Sequence, residues 1–151
     1  MKTIIFNLLI ILIFLFSNNP NASELLLYAD DISYDSNKNI IAKGNAKIIK
    51  NEEIITSDLI IYNSKNKSII MPSEFTYRDS INNYYLGTSG KFDGEINNGE
   101  IENVKILLND GTRIVGKKVI RRDSIDIINK GVYTQCKSRI NIKDFVCPIW
   151  Q

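Results

Sequence analysis

The sequence predicts an all-β protein, an open antiparallel roll of two facing, twisted sheets, and three observations support this prediction. After residue 25, short runs rich in Ile, Val, Tyr, Thr and Phe follow one another along the chain. Asn, Asp, Gly, Lys and Ser separate these runs about every 8–12 residues. No window combines a 3.6-residue apolar period with capping residues, as an amphipathic helix would. This spacing is typical of sandwiches, jelly rolls and solenoid-like rolls.

The predicted strands take up most of the chain after the N-terminal segment. They cover residues 25–34, 40–49, 54–62, 68–71, 74–78, 84–92, 100–108, 112–121, 124–128 and 131–135. Asn109-Asp110-Gly111 lies between two of them and predicts a hairpin, because Asp-Gly accommodates the positive φ angles of a type I′ turn. Pro72 follows the 68–71 run and marks an edge or a corner.

A six-residue pattern occurs twice in the first half of the chain. Residues 29–34 read A-D-D-I-S-Y, and residues 57–62, which begin 28 positions later, read S-D-L-I-I-Y. In an extended strand the Asp, Ile and Tyr of each copy share one face, because side chains alternate with a period of two. A strand-like run with Gly44 at its middle separates the copies. A unit of this size cannot bury its apolar face alone, so the repeat predicts packing against neighbouring units.

The N-terminus has the pattern of an export signal. Lys2 precedes an apolar run over residues 4–16, which at 13 residues is shorter than the roughly 20 needed to span a bilayer. We therefore expect a cleaved signal peptide over residues 1–23, a single β-roll over 24–135 and a cysteine-containing tail over 136–151. An uncleaved membrane anchor is the alternative.

The composition argues against catalysis and against nucleic-acid binding. The formal net charge is +2, and the chain contains no histidine, the commonest general base and metal ligand. The sequence has no G-x-S-x-G motif, no phosphate-binding glycine loop and no close cysteine pair of the zinc-site type. We predict that the protein is not an enzyme and has no cofactor, no metal site and no nucleic-acid partner.

Five segments carry a resemblance to a known family. They are Y-A-D-D-I-S-Y-D at 28–35, I-A-K-G-N-A-K-I at 41–48, T-S-D-L-I-I-Y at 56–62, V-Y-T-Q-C at 132–136 and C-P-I-W-Q at 147–151. The chain resembles the periplasmic lipopolysaccharide-transport β-jelly-roll (OstA-like) family. That family includes the bridge protein, its inner-membrane partner and the N-terminal domain of the outer-membrane assembly protein LptD. The last two segments resemble the junction at which the LptD domain passes into its barrel.

The resemblance implies a location and a set of partners. The location is the periplasm, in association with the outer membrane of a Gram-negative bacterium. The ligand is lipopolysaccharide, bound through its lipid A acyl chains. Neighbouring jelly rolls pair through edge strands, and an outer-membrane barrel or lipoprotein is a further partner. The sequence stops at Gln151, so the barrel of an LptD-like protein is expected to be missing.

An apolar groove between the two sheets is the predicted lipid site, because each buried acyl CH₂ contributes about 0.8 kcal/mol. An unpaired charge in such a groove costs several kcal/mol, so we expect no buried charges there. The candidate groove residues come from several strands and are Ile48, Ile60, Phe75, Leu86, Phe92, Ile106 and Ile114. Ordinary core and cross-strand packing of the same side chains is the alternative interpretation.

The two cysteines are candidates for a disulfide. Cys136 and Cys147 follow a predicted export signal, and disulfides persist outside the cytosol. Ten residues separate them, and closing that loop would contribute roughly 2–3 kcal/mol. The resemblance adds a second possibility, because LptD forms disulfides between its periplasmic domain and its barrel. With no barrel in the sequence, a bridge between Cys136 and Cys147 is the prediction.

Two sets of charged residues are assigned structural roles. Asp30 and Asp58 occupy the same position in the two repeats, and aspartates near strand or turn starts commonly accept hydrogen bonds from local backbone amides. The pairs at 117–118 and 121–122 could bind lipid phosphates. Alternating charge on an exposed strand is the preferred interpretation of both pairs.

Two other functions stay open. One keeps the fold and makes the chain a free periplasmic bridge protein, like LptA, or a membrane-anchored partner, like LptC. The other is a structural β-solenoid or adhesin domain, which the irregular repeat disfavours. An open roll has unpaired backbone groups along its first and last strands, so we expect neighbours to dock on 25–34 or 124–135.

Overall fold

The computed structural model describes residues 24–135, which form twelve strands in one continuous antiparallel sheet. The strands are β1 Leu25–Tyr28, β2 Asp31–Tyr34, β3 Ile40–Lys50, β4 Glu53–Asn63, β5 Ser68–Met71, β6 Phe75–Arg78, β7 Tyr84–Gly87, β8 Ser89–Asp93, β9 Gly99–Leu107, β10 Arg113–Arg122, β11 Ile125–Asn129 and β12 Val132–Thr134. No helix occurs in this range. The predicted all-β, antiparallel jelly roll is confirmed. The predicted signal peptide over 1–23 and both cysteines of the 136–151 tail lie outside the described residues.

Four long strands pass through two layers of the fold. In layer A, one half of each of β3, β4, β9 and β10 pairs with the short strands β1, β6, β7 and β12. In layer B, the other halves pair with β2, β5, β8 and β11. Each layer thus contains eight antiparallel segments, and the long strands connect the two layers.

The layers join along a line that we call the corner. In β3 the register shifts between Lys43 and Ala46, where Gly44 and Asn45 have φ angles of 72° and 46°. Asn103 in β9 has a φ angle of 46° at the equivalent place, between the pairings with β8 and with β7. Residues in the left-handed conformation change the local direction of a strand. The backbone conformation at these positions therefore produces the corner.

Two predicted strands are broken in the structure, and both breaks lie at the corner. The predicted strand 25–34 divides into β1 and β2 around Ala29-Asp30, and 84–92 divides into β7 and β8 at Thr88. The Asp30 amide donates to the Gly44 carbonyl at 2.9 Å, and the Thr88 amide donates to the Glu102 carbonyl at 3.0 Å. The chain bends at Asp30 and at Thr88 without a glycine or proline at either position, which explains why the residue pattern did not reveal the breaks.

The repeated pattern has a specific place in this arrangement. Ile32 in β2 and Ile60 in β4 both lie opposite Ala42 of β3, one on each side. Tyr34 and Tyr62 flank Ile40 in the same way. The two copies therefore lie in register on both sides of one strand within layer B, and each copy begins at the corner.

The inner faces of the two layers pack into one core. The Phe75 ring of layer A meets the Phe92 ring of layer B edge-on, with centroids 6.4 Å apart. Tyr77 of layer A also contacts Phe92, at 5.3 Å. Ile96, in the loop between β8 and β9, adopts a φ angle of 59° and is buried in the same core.

The predicted hairpin at Asn109-Asp110-Gly111 is present, but its turn is of another type. The Gly111 amide donates to the Leu108 carbonyl at 2.9 Å, and the Leu108 amide donates to the Thr112 carbonyl at 2.8 Å. Gly111 has a φ angle of 86°, whereas Asp110 is not left-handed. This is the three-residue loop with glycine at the left-handed position, not the predicted two-residue type I′ turn.

The sheet has two free edges. β1 and β2 both pair with β3 at one end of the path, and β11 and β12 both pair with β10 at the other end. Neither terminal pair of strands is joined to the other, so the roll is open. The edges lie in the two segments expected from the sequence, 25–34 and 124–135. Docking of a neighbour on them stays a prediction.

Candidate functional site: an apolar interior with two open ends and a polar rim

Most of the predicted groove residues come together in the interior. Ile48, Ile60, Phe75, Phe92 and Ile106 belong to the core, and each is at most 1% exposed. In this structure they pack against one another and the layers are closed over them. The interior is therefore a packed core that would have to part before it could hold an acyl chain.

The other two candidates lie elsewhere. Ile114 is partly buried and packs against the core from β10. Leu86 is next to the core residue Tyr85 on β7, and it lies opposite Thr76 and Lys105, on the other face of the sheet. Leu86 is buried but is not a member of the core cluster. Strand parity separates Leu86 from the rest of the set.

The inner face reaches solvent at both free edges. Ile32 and Tyr34 share the inner face with the buried Ala42, yet they are 52% and 73% exposed. At the other edge Tyr133 lies opposite the inward-facing Ile114 and is 58% exposed. We call these two places the β2 mouth and the β12 mouth. Each presents apolar and aromatic surface that continues the core.

The contacts between the layers explain why the mouths are open. β3 of layer A meets the β8–β9 loop of layer B, through an ion pair of 2.7 Å between Lys50 and Glu95. Further along the sheet, β4 meets β10 and β7 meets β11. Each of these contacts joins a strand of layer A to a strand or loop that lies several places further along layer B. The two layers are therefore offset, so β2 at one end and β12 at the other extend past the opposite layer.

A polar network joins the layers on the side away from the corner, which we call the rim. Arg121 of layer B donates from Nε to Asp126 Oδ1 at 2.8 Å, and its Nη1 donates to the Tyr77 hydroxyl of layer A. The Tyr77 hydroxyl donates to Glu53, and the Tyr85 hydroxyl donates to Asp126 Oδ2 at 2.7 Å. The Arg121 guanidinium lies over the Tyr77 and Tyr85 rings, 4.9 and 5.6 Å from their centroids. These five residues form the rim network.

The environment of the rim network sets its protonation. Burial raises the pKa of Glu53, and the hydrogen bond from Tyr77 and the charge of Arg121 oppose that rise. Burial also raises the pKa of Tyr77 and Tyr85, and the carboxylates that accept their hydrogen bonds add to the rise. Burial disfavours the charged form of Arg121, but the hydrogen bond to Asp126 and the electrostatic interactions with Tyr77, Asp126 and Tyr85 together outweigh it and keep the guanidinium pKa above its ordinary value. Both tyrosines are therefore fixed as donors, and Arg121 is fixed as a cation.

The rim network corrects two predictions. Arg121 was expected on an exposed face, but its side chain is only 6% exposed and faces the interior. The interior was also expected to lack buried charges, whereas Arg121 is buried there beside the partly buried Glu53 and Asp126. The charges are tolerated because they are paired, since an isolated buried charge would cost several kcal/mol.

A signal for this pair was present in the sequence. Val119 faces the core, and Arg121 is two residues further along the same strand, on the same face. Asp126 lies directly opposite Arg121 across the predicted turn between β10 and β11. The shared face with Val119, together with an oppositely charged residue directly across the hairpin, would have predicted that Arg121 points inward.

The remaining charged candidates lie where a structural role suits them. The Asp30 carboxylate accepts from the Asn45 side-chain amide at 2.8 Å, not from a backbone amide as predicted, and Asp58 is exposed at the corner. Lys118 pairs with Glu100 and Glu102 across neighbouring strands, so its expected place in an exposed charge pattern is confirmed. No cluster of three or more metal-ligating side chains occurs within residues 24–135. The same range has no helix of the length and hydropathy needed to cross a membrane.

Comparison with known proteins yields one kind of match. No protein-family model matches the chain, and no curated protein matches it in sequence. Among solved structures, the fold is similar to the crystal structure of LptH from Pseudomonas aeruginosa, the LptA-homologous periplasmic component of the conserved lipopolysaccharide transport device. The TM-score is 0.59 and the identity is 12%, over 70% of this chain and 82% of LptH. At this identity the similarity shows a shared fold.

Proposed function

We propose that this chain is a periplasmic module of lipopolysaccharide transport, which passes acyl chains along its apolar interior while the sugar stays in water. The observation that carries the proposal is the continuity of the inner face, which is apolar through the core and exposed at the β2 and β12 mouths. A chain of CH₂ groups gains about 0.8 kcal/mol for each group buried, so such a path binds acyl chains without any catalytic group. The similarity of the fold to LptH supports this proposal.

The two free edges suit a module that works in series. Each edge exposes a row of unpaired backbone groups, and a mouth lies beside each row. A neighbouring jelly roll that pairs with β2 or β11 would extend the sheet and join its own inner face to the mouth. We propose bridge-type stacking as the way in which the chain meets its partners.

The finer assignment is to an LptD-like protein that acts at the outer membrane. It is supported by the cysteine-containing segments at 132–136 and 147–151. A disulfide between Cys136 and Cys147 and a cleaved signal peptide belong to the same proposal. Mass spectrometry of the exported protein, before and after reduction, would measure both the cleavage site and the pairing. A free thiol at either cysteine would contradict the disulfide.

Photo-crosslinking tests the lipid path. A photo-reactive residue at Ile32, Tyr34 or Tyr133 should capture lipopolysaccharide in cells that contain the whole export pathway. Capture is also expected at the core positions Ile60 and Phe92. Crosslinkers at the turn residues Lys65 and Asp110 serve as controls and should stay unlabelled. Equal labelling at mouth and turn positions, or none at the mouths of a folded and exported protein, would leave only a structural role.

Proline substitution tests the stacking. Proline removes a backbone donor and is poorly accommodated where a strand must pair. Ile32→Pro in β2 and Ile127→Pro in β11 should each weaken binding of a neighbouring jelly roll if that edge is the docking edge. Co-purification with a partner measures the effect, and Lys65→Pro in a turn is the control. Unchanged partner binding in both edge variants would contradict the stacking.

A structural solenoid or adhesin is not favoured by the fold. The two copies of the repeat flank β3 within one layer instead of stacking as successive coils.

A further inference from the structure

We propose that the rim network is a releasable latch, which holds the two layers closed over the interior and parts to admit acyl chains. The inference rests on the proposed function, because it concerns how a ligand enters that interior. Every core residue named as a groove candidate is packed, so a chain can enter only if the layers separate. The question is where separation costs least.

The corner cannot separate, because the long strands run through it. β3, β4, β9 and β10 are continuous across the two layers, and their backbones would have to break for the layers to part there. The left-handed positions Gly44, Asn45 and Asn103 instead make the corner a place about which the layers can turn. Opening by rotation about the corner moves the rim the farthest.

The rim is held by side chains alone. Five described contacts cross from layer A to layer B in the network, and each involves a hydroxyl, a carboxylate or the Arg121 guanidinium. When these polar contacts separate, water forms hydrogen bonds with the groups that lose a partner and hydrates the charges. This hydration offsets much of the free energy of the lost contacts. A purely apolar seam would gain nothing from water and would be harder to open.

Two variants alter the latch in opposite directions. Tyr77→Phe with Tyr85→Phe removes the hydroxyls that bond across the layers and keeps the rings and the Arg121–Asp126 pair. The apolar variant combines these two changes with Glu53→Leu, Arg121→Leu and Asp126→Leu, which replaces the ionic seam by one that water does not hydrate. Lys118→Gln is the matched control, because it removes an ion pair on the outer face.

The rate of loading is the measurement. The full exported chain is mixed with cis-parinaric acid, a fluorescent fatty acid, in a stopped-flow instrument, and unlabelled lipopolysaccharide then displaces the probe. The tyrosine variant should load about tenfold faster, because the closed state loses the hydrogen bonds of both hydroxyls. The apolar variant should load about tenfold slower although circular dichroism shows it folded, and Lys118→Gln should match the wild type.

The outcomes separate the latch from the proposed function. Wild-type loading with equal rates in the tyrosine and apolar variants would overturn the latch and leave the lipid-carrying function intact. Failure of the folded wild type to take up either the fatty acid or lipopolysaccharide would overturn both. If the apolar variant does not fold, the tyrosine variant alone decides, because an unchanged or slower rate in it contradicts a latch.

Discussion

The corner and the rim close the same interior from opposite sides, and they are built differently. The corner consists of backbone, with left-handed residues in continuous strands and the Asp30–Asn45 hydrogen bond beside them. The rim consists of side chains that are far apart in sequence, since Arg121 and Tyr77 differ by 44 positions. Local sequence therefore defines the corner, while only the completed fold assembles the rim. The difference predicts that corner mutations impair formation of the fold, whereas rim mutations alter how firmly a formed fold stays shut.

The largest expected effect is at the rim. Arg121→Ala removes the buried partner of two partly buried carboxylates and should lower the free energy of unfolding by about 3 kcal/mol, because breaking such a pair leaves an uncompensated charge. Urea denaturation followed by circular dichroism measures this loss. The neighbouring Arg122 is exposed, and Arg122→Ala should change stability by less than about 0.5 kcal/mol. Similar effects at the two arginines would contradict the buried network.

A substitution at the corner should cost somewhat less. Gly44 has a φ angle of 72°, and a Cβ there would lie 2.6 Å from Asp30 Oδ2. Gly44→Val should lower the free energy of unfolding by about 1–3 kcal/mol, because a β-branched residue is strained in the left-handed region and also meets that carboxylate. Combining it with Asp30→Ala separates the two causes. If the stability loss of the double variant equals the sum of the losses of Gly44→Val and Asp30→Ala, the contact with Asp30 contributes nothing and backbone strain acts alone.

The pH dependence of stability sharpens the description of the rim. Burial raises the Glu53 pKa in the folded state, so protonation of Glu53 favours the fold. This contribution is complete below the unfolded-state pKa and is lost as the pH rises through the folded-state pKa. Glu53→Gln cannot titrate, so its stability relative to the wild type should increase as the pH rises from about 4 towards neutrality. Thermal unfolding of both proteins across that range measures the trend, and parallel curves would contradict it.

The smallest effect is expected on the outer face. Lys118 pairs with Glu100 and Glu102, but its side chain is 30% exposed. Lys118→Gln should lower the free energy of unfolding only slightly, because exposed ion pairs are screened by solvent. High salt should shrink this difference further. A loss as large as that of Arg121→Ala would show that burial does not distinguish the two networks.

The sequence predicted the strands well because each needs only its own residues. Eight of the ten predicted strands appear as single strands, and the free edges fall in the first and last of the predicted segments. The breaks at Ala29-Asp30 and Thr88 were missed because the two layers impose a bend at positions that carry no glycine or proline. The two D-x-I-x-Y copies both begin at the corner, but the repeated pattern alone did not show that they lie on either side of β3.

The site was predicted in part. Apolar residues such as Ile48, Ile60 and Phe92 were placed inside by hydropathy alone, and they are the centre of the core. Arg121 was missed because a charged residue was assigned to the surface without testing its parity against Val119. Leu86 shows the converse error, since an apolar residue need not face the interior. Side-chain direction decided both cases, and it follows from register, which the sequence does not state.

The edge strand β11 has a consequence for the behaviour of the protein in concentrated solution. Its residues read I-D-I-I-N, and Ile125 and Ile127 are 68% and 51% exposed on the face away from the core. An unpaired strand of this kind invites uncontrolled aggregation, and natural proteins counter it with an inward-pointing charge. Asp126 is such a charge, and it is already committed to Arg121 and Tyr85. The residue that helps fasten the rim thus also protects the edge, so Asp126→Leu should precipitate sooner during purification than its loss of stability alone would explain.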